Sequence, residues 1–440
     1  MPQRYRSWGM VPRAGSQSHA VRVTRRGAPL PVPRDREQTC LPFGNGRSYG
    51  DVCLNDGGML LDARGLDRFI SFDREAGLLR CEAGVLLGEI LSLVMPHGFV
   101  LPTTPGTQFV TVGGAIANDV HGKNHHRAGS FGCHVRALEL ARSDGTRLRC
   151  STSENPQWFA ATIGGLGLTG LIVWAEIALQ RVASPAFEVD TVPCPDLSSL
   201  IECSRRSEAD YEHTVGWLDC LARGARLGRG FVMRANHAST PARAHFERAA
   251  KPLGMPFTPP LSLVNGATLK ALNSLYFHAV RWRSKRRTMA YDEFCYPLDG
   301  IRNWNRMYGP HGFVQYQCAV PHAGAEHTLA EMLEKIARAR TGSVLAVLKT
   351  LGTRPSPGLL AFARPGVTLA LDLPNRGAAT LALLDALDRI VLNAGGALYP
   401  AKDARMSAQA FKRFYPRWSE MRTYCDARFS SSFWRRVTAE

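Results

Sequence analysis

Three glycine-rich segments fall within about 130 residues and constrain this chain more than any other feature. The first runs from Pro42 to Asp51 and carries Gly44, Asn45, Gly46, Arg47, Ser48, Tyr49 and Gly50. The second begins at Pro105-Gly106-Thr107. It continues through Val112, Gly113, Gly114, Ala115, Ile116, Ala117, Asn118 and Asp119 to His121-Gly122-Lys123. The third spans Gly164 to Gly170 and includes Gly165 and Gly167. Glycine permits positive φ and lets backbone approach a ligand closely. Successive N–H groups in such turns form anion-binding nests. A helix opening at Ala115 would add its positive end. One such loop is as readily a plain tight turn. Three together point to a buried, phosphate-bearing cofactor.

The third segment contains Gly165-Leu166-Gly167-Leu168-Thr169-Gly170, which matches GxGxxG. A Rossmann fingerprint needs a strand before the glycines and a helix after them. Here Trp158 to Ile163 has helical character and Leu171 to Leu179 has strand character. The order is reversed, so the match is not read as a Rossmann site.

At 440 residues the chain exceeds one ordinary core, which favours two domains. A 45% hydrophobic and 21% charged composition is that of a globular protein. The formal charge of +17 favours anionic partners without choosing among phosphates, nucleic acid and an acidic membrane surface. The 11 cysteines form no CxxC pair, which argues against a zinc ribbon and for reduced thiols in a reducing compartment. The basic N-terminus lacks the apolar stretch of a signal peptide. The longest apolar run, Leu168 to Leu179, is interrupted by Glu176, so no membrane span is expected.

Residues from about 15 to 182 read as short strands and glycine turns. Gly58 to Asp62 is a predicted strand, Leu86 to Met95 a predicted amphipathic helix, and Val135 to Cys150 a predicted hairpin turning at Asp144-Gly145. Beyond about 185, helical patterns at Thr328 to Arg340 and Thr380 to Asn393 alternate with strand-like runs at Gly312 to Val320 and Val367 to Leu373. The stretch from 235 to 290 holds Pro252, Pro256, Pro259 and Pro260 and is expected to be a long loop.

The glycine loops resemble the FAD-binding domain of the vanillyl-alcohol oxidase / p-cresol methylhydroxylase superfamily. Five segments narrow the resemblance: Gly44 to Asp51, Thr111 to Gly132, Gly312 to Gln317, Val344 to Gly352, and Leu398 to Met406. Together they are similar to the decaprenylphosphoryl-β-D-ribose 2′-oxidase family, over about residues 40 to 420. The resemblance implies an α+β fold: a two-subdomain FAD-binding domain over 15–184, an α+β substrate domain over 185–398, and a 399–440 segment returning to the flavin. It implies hydride transfer from a secondary alcohol of a sugar to flavin N5, the sugar being ribose on a polyprenyl phosphate, with a partner reductase completing an epimerisation. Covalent relatives link FAD through a histidine of the first loop. Arg47 stands there in this chain, so the FAD is expected to be noncovalent.

On the same resemblance, FAD would be held by Gly44, Asn45, Gly46, Arg47, Ser48, Tyr49, Gly106, Thr107, Gly113, Gly114, Ala117, Asn118, His121, Gly122, Gly167 and Gly170. Lys123, Gln317 and Lys349 would face the substrate. Lys402 and His121 are the catalytic candidates, since loss of a hydride from an alcohol also requires a base for the O–H proton. From spacing alone these lysines are as readily surface charges, and His121, His125 and His126 as readily polar loop residues. Without an HExxH glutamate the histidines are not read as a metal site.

The chain also departs from the family. Ala370 occupies the strand position where mycobacterial members have cysteine, and Ser431-Ser432 replaces a C-terminal Ser-Asp pair. The substrate is therefore a lipid-phosphate-linked or a free sugar, and the acceptor a quinone or oxygen. An aldonolactone or alditol oxidase and a flavin-dependent transferase are the alternatives. No nucleic-acid partner is expected, because no stacking or groove-reading motif accompanies the charge. The run from Arg281 to Arg287, with Trp282 among its cations, suggests peripheral contact with the inner face of the cell membrane from the cytoplasm.

Overall fold

The computed structural model describes residues 5–12, 19–35, 37–240, 253–283 and 286–439. Three main sheets organise them. The first is a small parallel sheet in which Met59–Asp62 lies between His19–Arg22 and Cys40–Phe43. The second is a five-stranded antiparallel sheet in the order Phe69–Asp73, Leu78–Glu82, Leu171–Ala178, Val135–Ala141 and Arg147–Ser151. Leu171–Ala178 sits at its centre, which explains its near-continuous apolar sequence. Helix Leu87–Val94 packs Leu87, Ile90, Leu91 and Val94 into the adjoining core, as the 3.6-residue period requires.

The third sheet has eight antiparallel strands. Towards one edge, Ala346–Leu351, Gly366–Pro374 and Phe313–Val320 are adjacent, paired so that Gln317 lies opposite Ala370 and Lys349 opposite Thr368. Helices Leu197–Ser207, Ala325–Arg338 and Ala378–Asn393 contribute to the core on one face of this sheet. Strand alternation sends Val314, Tyr316 and Cys318, with Leu369, Leu371 and Leu373, into that core. The same alternation sends Gln315, Gln317, Lys349 and Asp372 to the other face. That polar face closes one side of the cavity described below.

The hairpin turning near Asp144-Gly145 and the helices at 325–338 and 378–393 occur where the sequence places them. The GxGxxG match follows helix Pro156–Thr162 and precedes strand Leu171–Ala178, the reverse of a dinucleotide fold. Two expectations need correction. The second-segment helix begins at Val112, capped by Thr111, and not at Ala115. The 235–290 stretch holds an 18-residue helix, Gly266–Arg283, where a loop was expected; Pro252 lies outside the described residues. Leu269, Asn273 and Phe277 recur every four residues on its buried side. The polar member, Asn273, hides the period and is accommodated by donating to Asp219 Oδ1 at 3.0 Å.

The chain's end returns to its beginning. Strand Ala397–Leu398 pairs with Phe313–Val320, and the next turn, Pro400–Lys402, lies against the first glycine loop. Tyr49 N–H donates to Ala401 O at 2.9 Å. A Cβ on Gly50 would lie 1.5 Å from Asp403 O, so only glycine fits this crossing. Gly50→Ala is predicted to remove at least ~2 kcal/mol of stability in urea unfolding. Gly106→Ala, with open space around the new Cβ, should stay near wild type and serves as the control.

Candidate active site

A cavity of about 450 Å3 lies where the three glycine segments, the polar sheet face and the C-terminal return meet. That size suits a small-molecule site. All the proposed flavin and substrate residues line it except Gly122 and Lys123. Lys123 turns away, donating to Phe294 O and resting 4.5 Å from the Phe294 ring centroid. Burial lowers its pKa to about 8, with Cys295 opposing the shift. The expectation that Lys123 faces substrate is therefore not met in this geometry. Gly122 serves packing: a Cβ there would come within 3.0 Å of Thr104 O.

The first loop offers the donors. Among the described residues, the backbone N–H groups of Gly44 to Ser48 donate to no protein acceptor. Gly46 has a φ of +59, which favours glycine. Helix Val112–Ala117 contributes differently from expectation. Its first N–H groups are already used, Val112 by Val85 O, Gly113 by Ala83 O and Gly114 by Thr111 Oγ1. It can wall the cavity through Gly113 and Gly114 but has no free N-terminal donors there. Asn118 Oδ1 and Arg47 Nε are buried at the cavity without a hydrogen-bond partner. Buried polar atoms are rarely left so. Free loop donors and unpartnered polar atoms around one enclosure fit a polar, phosphate-bearing cofactor such as FAD. Arg47, held 4.3 Å from the Trp8 ring and 5.1 Å from the Phe109 ring, has no chemistry for a covalent flavin link.

The catalytic candidates cluster at the other end. Lys402 Nζ sits 3.8 Å from the centroid of Tyr49. Burial lowers its pKa to about 7, with Asp372 partly restoring it. Asp372 is raised to about 6 by burial, and Gln315 Nε2 donates to its Oδ1 at 2.6 Å. Lys349 is lowered to about 7 by burial and by the nearby Lys123 and Lys402 cations. Its Nζ lies 3.4 Å from His121 Nδ1, while His121 Nε2 faces Gln317 Nε2 at 3.0 Å. Burial, and then Lys349, hold His121 well below its ordinary pKa, so it is a neutral imidazole at physiological pH. The Tyr399 hydroxyl donates to Asn118 O at 2.7 Å, tying the C-terminal return to the second loop.

Sequence reasoning missed Asp372, Gln315, Tyr399, Trp8 and the rim from Ile301 to Trp304. Strand alternation could have found two of them. Gln315 shares a face with Gln317, and Asp372 is its cross-strand partner. Trp8 and the rim carry no motif.

Arg436, on the C-terminal helix Ser432–Thr438, fixes the arrangement from behind. Its Nη2 lies 2.7 Å from Asp51 Oδ1 and 2.9 Å from Asp403 Oδ2. Asp51 ends the first glycine loop and Asp403 follows Lys402, so one guanidinium locks the loop to the turn. Arg436→Met leaves two buried carboxylates unpaired. It is predicted to remove about 3 kcal/mol of stability. Below its melting range, the variant is also predicted to reduce bound flavin more slowly in stopped-flow absorbance.

Comparison with known proteins agrees with the cavity's character. The family described as an FAD binding domain matches residues 30–151. Decaprenylphosphoryl-beta-D-ribose oxidase of Mycolicibacterium smegmatis is 37% identical over 90% of this chain and 88% of its own. An uncharacterised protein of Streptomyces coelicolor is 37% identical over 77% of this chain and 94% of its own. L-Gulonolactone oxidase of Mus musculus is 33% identical over only 35% of this chain and 34% of its own.

Proposed function

Because the chain belongs to the decaprenylphosphoryl-β-D-ribose oxidase family of FAD-dependent oxidoreductases, we propose that it oxidises the 2-hydroxyl of a ribose carried on a polyprenyl phosphate. One observation carries the choice of a phosphate-linked sugar: two lysines with pKa values lowered to about 7, Lys349 and Lys402, face one cavity. Asp372 offsets Lys402, but a neutral lactone or alditol would leave Lys349 uncompensated, whereas a phosphodiester supplies an anion. Residues 15–184 would hold FAD, 185–398 the sugar, and 399–440 would return Lys402 to the flavin.

Bound FAD supplies the hydride acceptor at N5 of its ring. The chain's own groups do the rest. The Gly44 to Ser48 N–H groups would meet the pyrophosphate, and Arg47 leaves the cofactor noncovalent. Tyr49 and Lys402 would border the flavin ring. Lys349 and Gln317 would position the sugar phosphate. Lys402 in its amine form would take the hydroxyl proton, since its pKa matches the working pH better than the strongly lowered His121 does. Asp372, beside it, would favour the resulting ammonium. Neutral His121 would donate or accept a hydrogen bond from the substrate oxygen. The keto sugar formed requires a separate carbonyl reductase to complete an epimerisation, and the electrons leave to a quinone or oxygen.

An anaerobic flavin-bleaching screen tests the substrate. Short-chain polyprenylphosphoryl ribose should bleach the flavin, while free lactones and alditols should not; the reverse pattern selects the free-sugar oxidase reading. Lys402→Ala is predicted to keep FAD and to lose reduction by at least ~100-fold. Full reduction in that variant would remove Lys402 from the mechanism. A base must be unprotonated to act, so the wild-type bleaching rate should rise with pH through a limb at or above about 7. A rate that falls with pH across that range excludes the amine role.

A further inference from the structure

We propose that the helix Gly266–Arg283 and the described segment before it, 253–265, form a docking surface for an anionic lipid bilayer, at the rim of the cavity. The sequence carries the charge. From Arg248 to Tyr291, a tenth of the chain, there is no Asp or Glu and there are eight Lys or Arg. Nearly half of the formal +17 therefore comes from this one stretch. Of these eight, Arg248, Lys251 and Lys285 lie outside the described residues, as does Ser284.

The helix has two apolar sides. Leu269, Asn273 and Phe277 face inward, where Phe277 packs with Trp217 and Phe231. At 100° per residue, Ala271, Leu272, Leu275, Ala279 and Trp282 share an arc of roughly that width on the opposite side. These five are exposed, Leu275 at 71% and Trp282 at 87%. The preceding segment adds Phe257 at 66% and Leu261 at 78% exposed. Lys270, His278 and Arg281 lie along one flank of the outer stripe. A contiguous exposed apolar stripe is uncommon on a surface that meets only water. An apolar face bordered by cations, with tryptophan at its end, is the pattern of helices that lie in a bilayer interface. A protein partner would be expected to match some of the charge with acidic groups of its own. An anionic membrane satisfies both the charge and the apolar side chains at once. No helix of the described residues is long and apolar enough to cross a membrane, so the helix lies on the surface rather than through it.

The surface is joined to the cavity. Leu253–Gly254 pairs with Ile301–Arg302, Leu263 N–H donates to Met307 O at 2.9 Å, and Arg306 Nη1 donates to Met255 O at 2.9 Å. Ile301, Arg302, Asn303 and Trp304 line the cavity. A lipid-anchored sugar would therefore enter from the bilayer without its tail crossing water. That last step rests on the substrate reading above; the docking surface itself does not.

The flavin-loaded enzyme should be sedimented with vesicles of phosphatidylcholine alone and with vesicles also containing phosphatidylglycerol. Binding should be about tenfold or more tighter to the anionic vesicles and should weaken with added salt. Leu275→Glu with Trp282→Glu should abolish it, and Lys270→Glu should weaken it. All should keep wild-type flavin content, melting temperature and flavin reduction by a water-soluble short-chain substrate. Equal binding to neutral vesicles, or undiminished binding by the double variant, overturns the proposal. So does absence of vesicle binding in a protein that instead self-associates through this face. Vesicle binding needs no turnover and the bleaching screen needs no vesicles, so the two readings fail separately.

Discussion

Positive charge held away from water around one cavity sets the terms for the rest of this structure. The chain has eight lysines, and Lys349 and Lys402 face the cavity while Lys123 is enclosed beside it. Removing an ammonium from water disfavours its charged form, and like neighbours add to the cost. Both effects bring Lys349 to about 7. Asp372 is the carboxylate that offsets Lys402, and burial raises its own pKa. Such an arrangement is costly unless an anion completes it. On the proposed function, a phosphate-linked substrate would bring one, and a phosphate-bearing cofactor would bring another to the Gly44–Ser48 end.

Holding these groups together requires parts of the chain far apart in sequence. The polar face of the eight-stranded sheet supplies Lys349, Gln317 and Asp372. The C-terminal return supplies Lys402, and the first loop supplies Tyr49. Two features make the crossing specific: the absence of a Cβ at Gly50, and Arg436 bridging Asp51 to Asp403. The second is a buried ion pair whose geometry, more than its net energy, joins the first glycine loop to the turn that carries Lys402.

Much of this was legible in the sequence because its signals are local. Glycines at 44, 46, 113, 114, 167 and 170 mark close backbone approach, and the order of helix and strand around Gly165–Gly170 rules out a Rossmann site without any coordinates. Arg47, at the position where the family resemblance puts the linking histidine of covalent relatives, is what leads to the expectation of a noncovalent cofactor. What the sequence hid is non-local. Whether Val112–Ala117 presents free N–H groups depends on Ala83 and Val85, in the turn after strand Leu78–Glu82, whose carbonyls use them. Whether Lys123 reaches the cavity depends on Phe294, 171 residues away. The helix Gly266–Arg283 escaped notice because Asn273 breaks its inner stripe and only Asp219 explains why it may be polar. Asp372 and its partner Gln315 were missed for a simpler reason: Gln317 was singled out, but the strand register that puts Gln315 on the same face and opposite Asp372 was not known.

The central claim is that the buried lysines await an anion. The direct measurement is calorimetric titration of the flavin-loaded enzyme with short-chain polyprenylphosphoryl ribose near pH ~7.5, in buffers of different ionisation enthalpy. Lys349, lowered to about 7, is largely deprotonated there, and a phosphate bound against it raises its pKa, while Lys402 stays the amine that takes the hydroxyl proton. Net proton uptake is therefore predicted, reduced in Lys349→Met. Binding that exchanges no protons, or that releases them, would contradict the account.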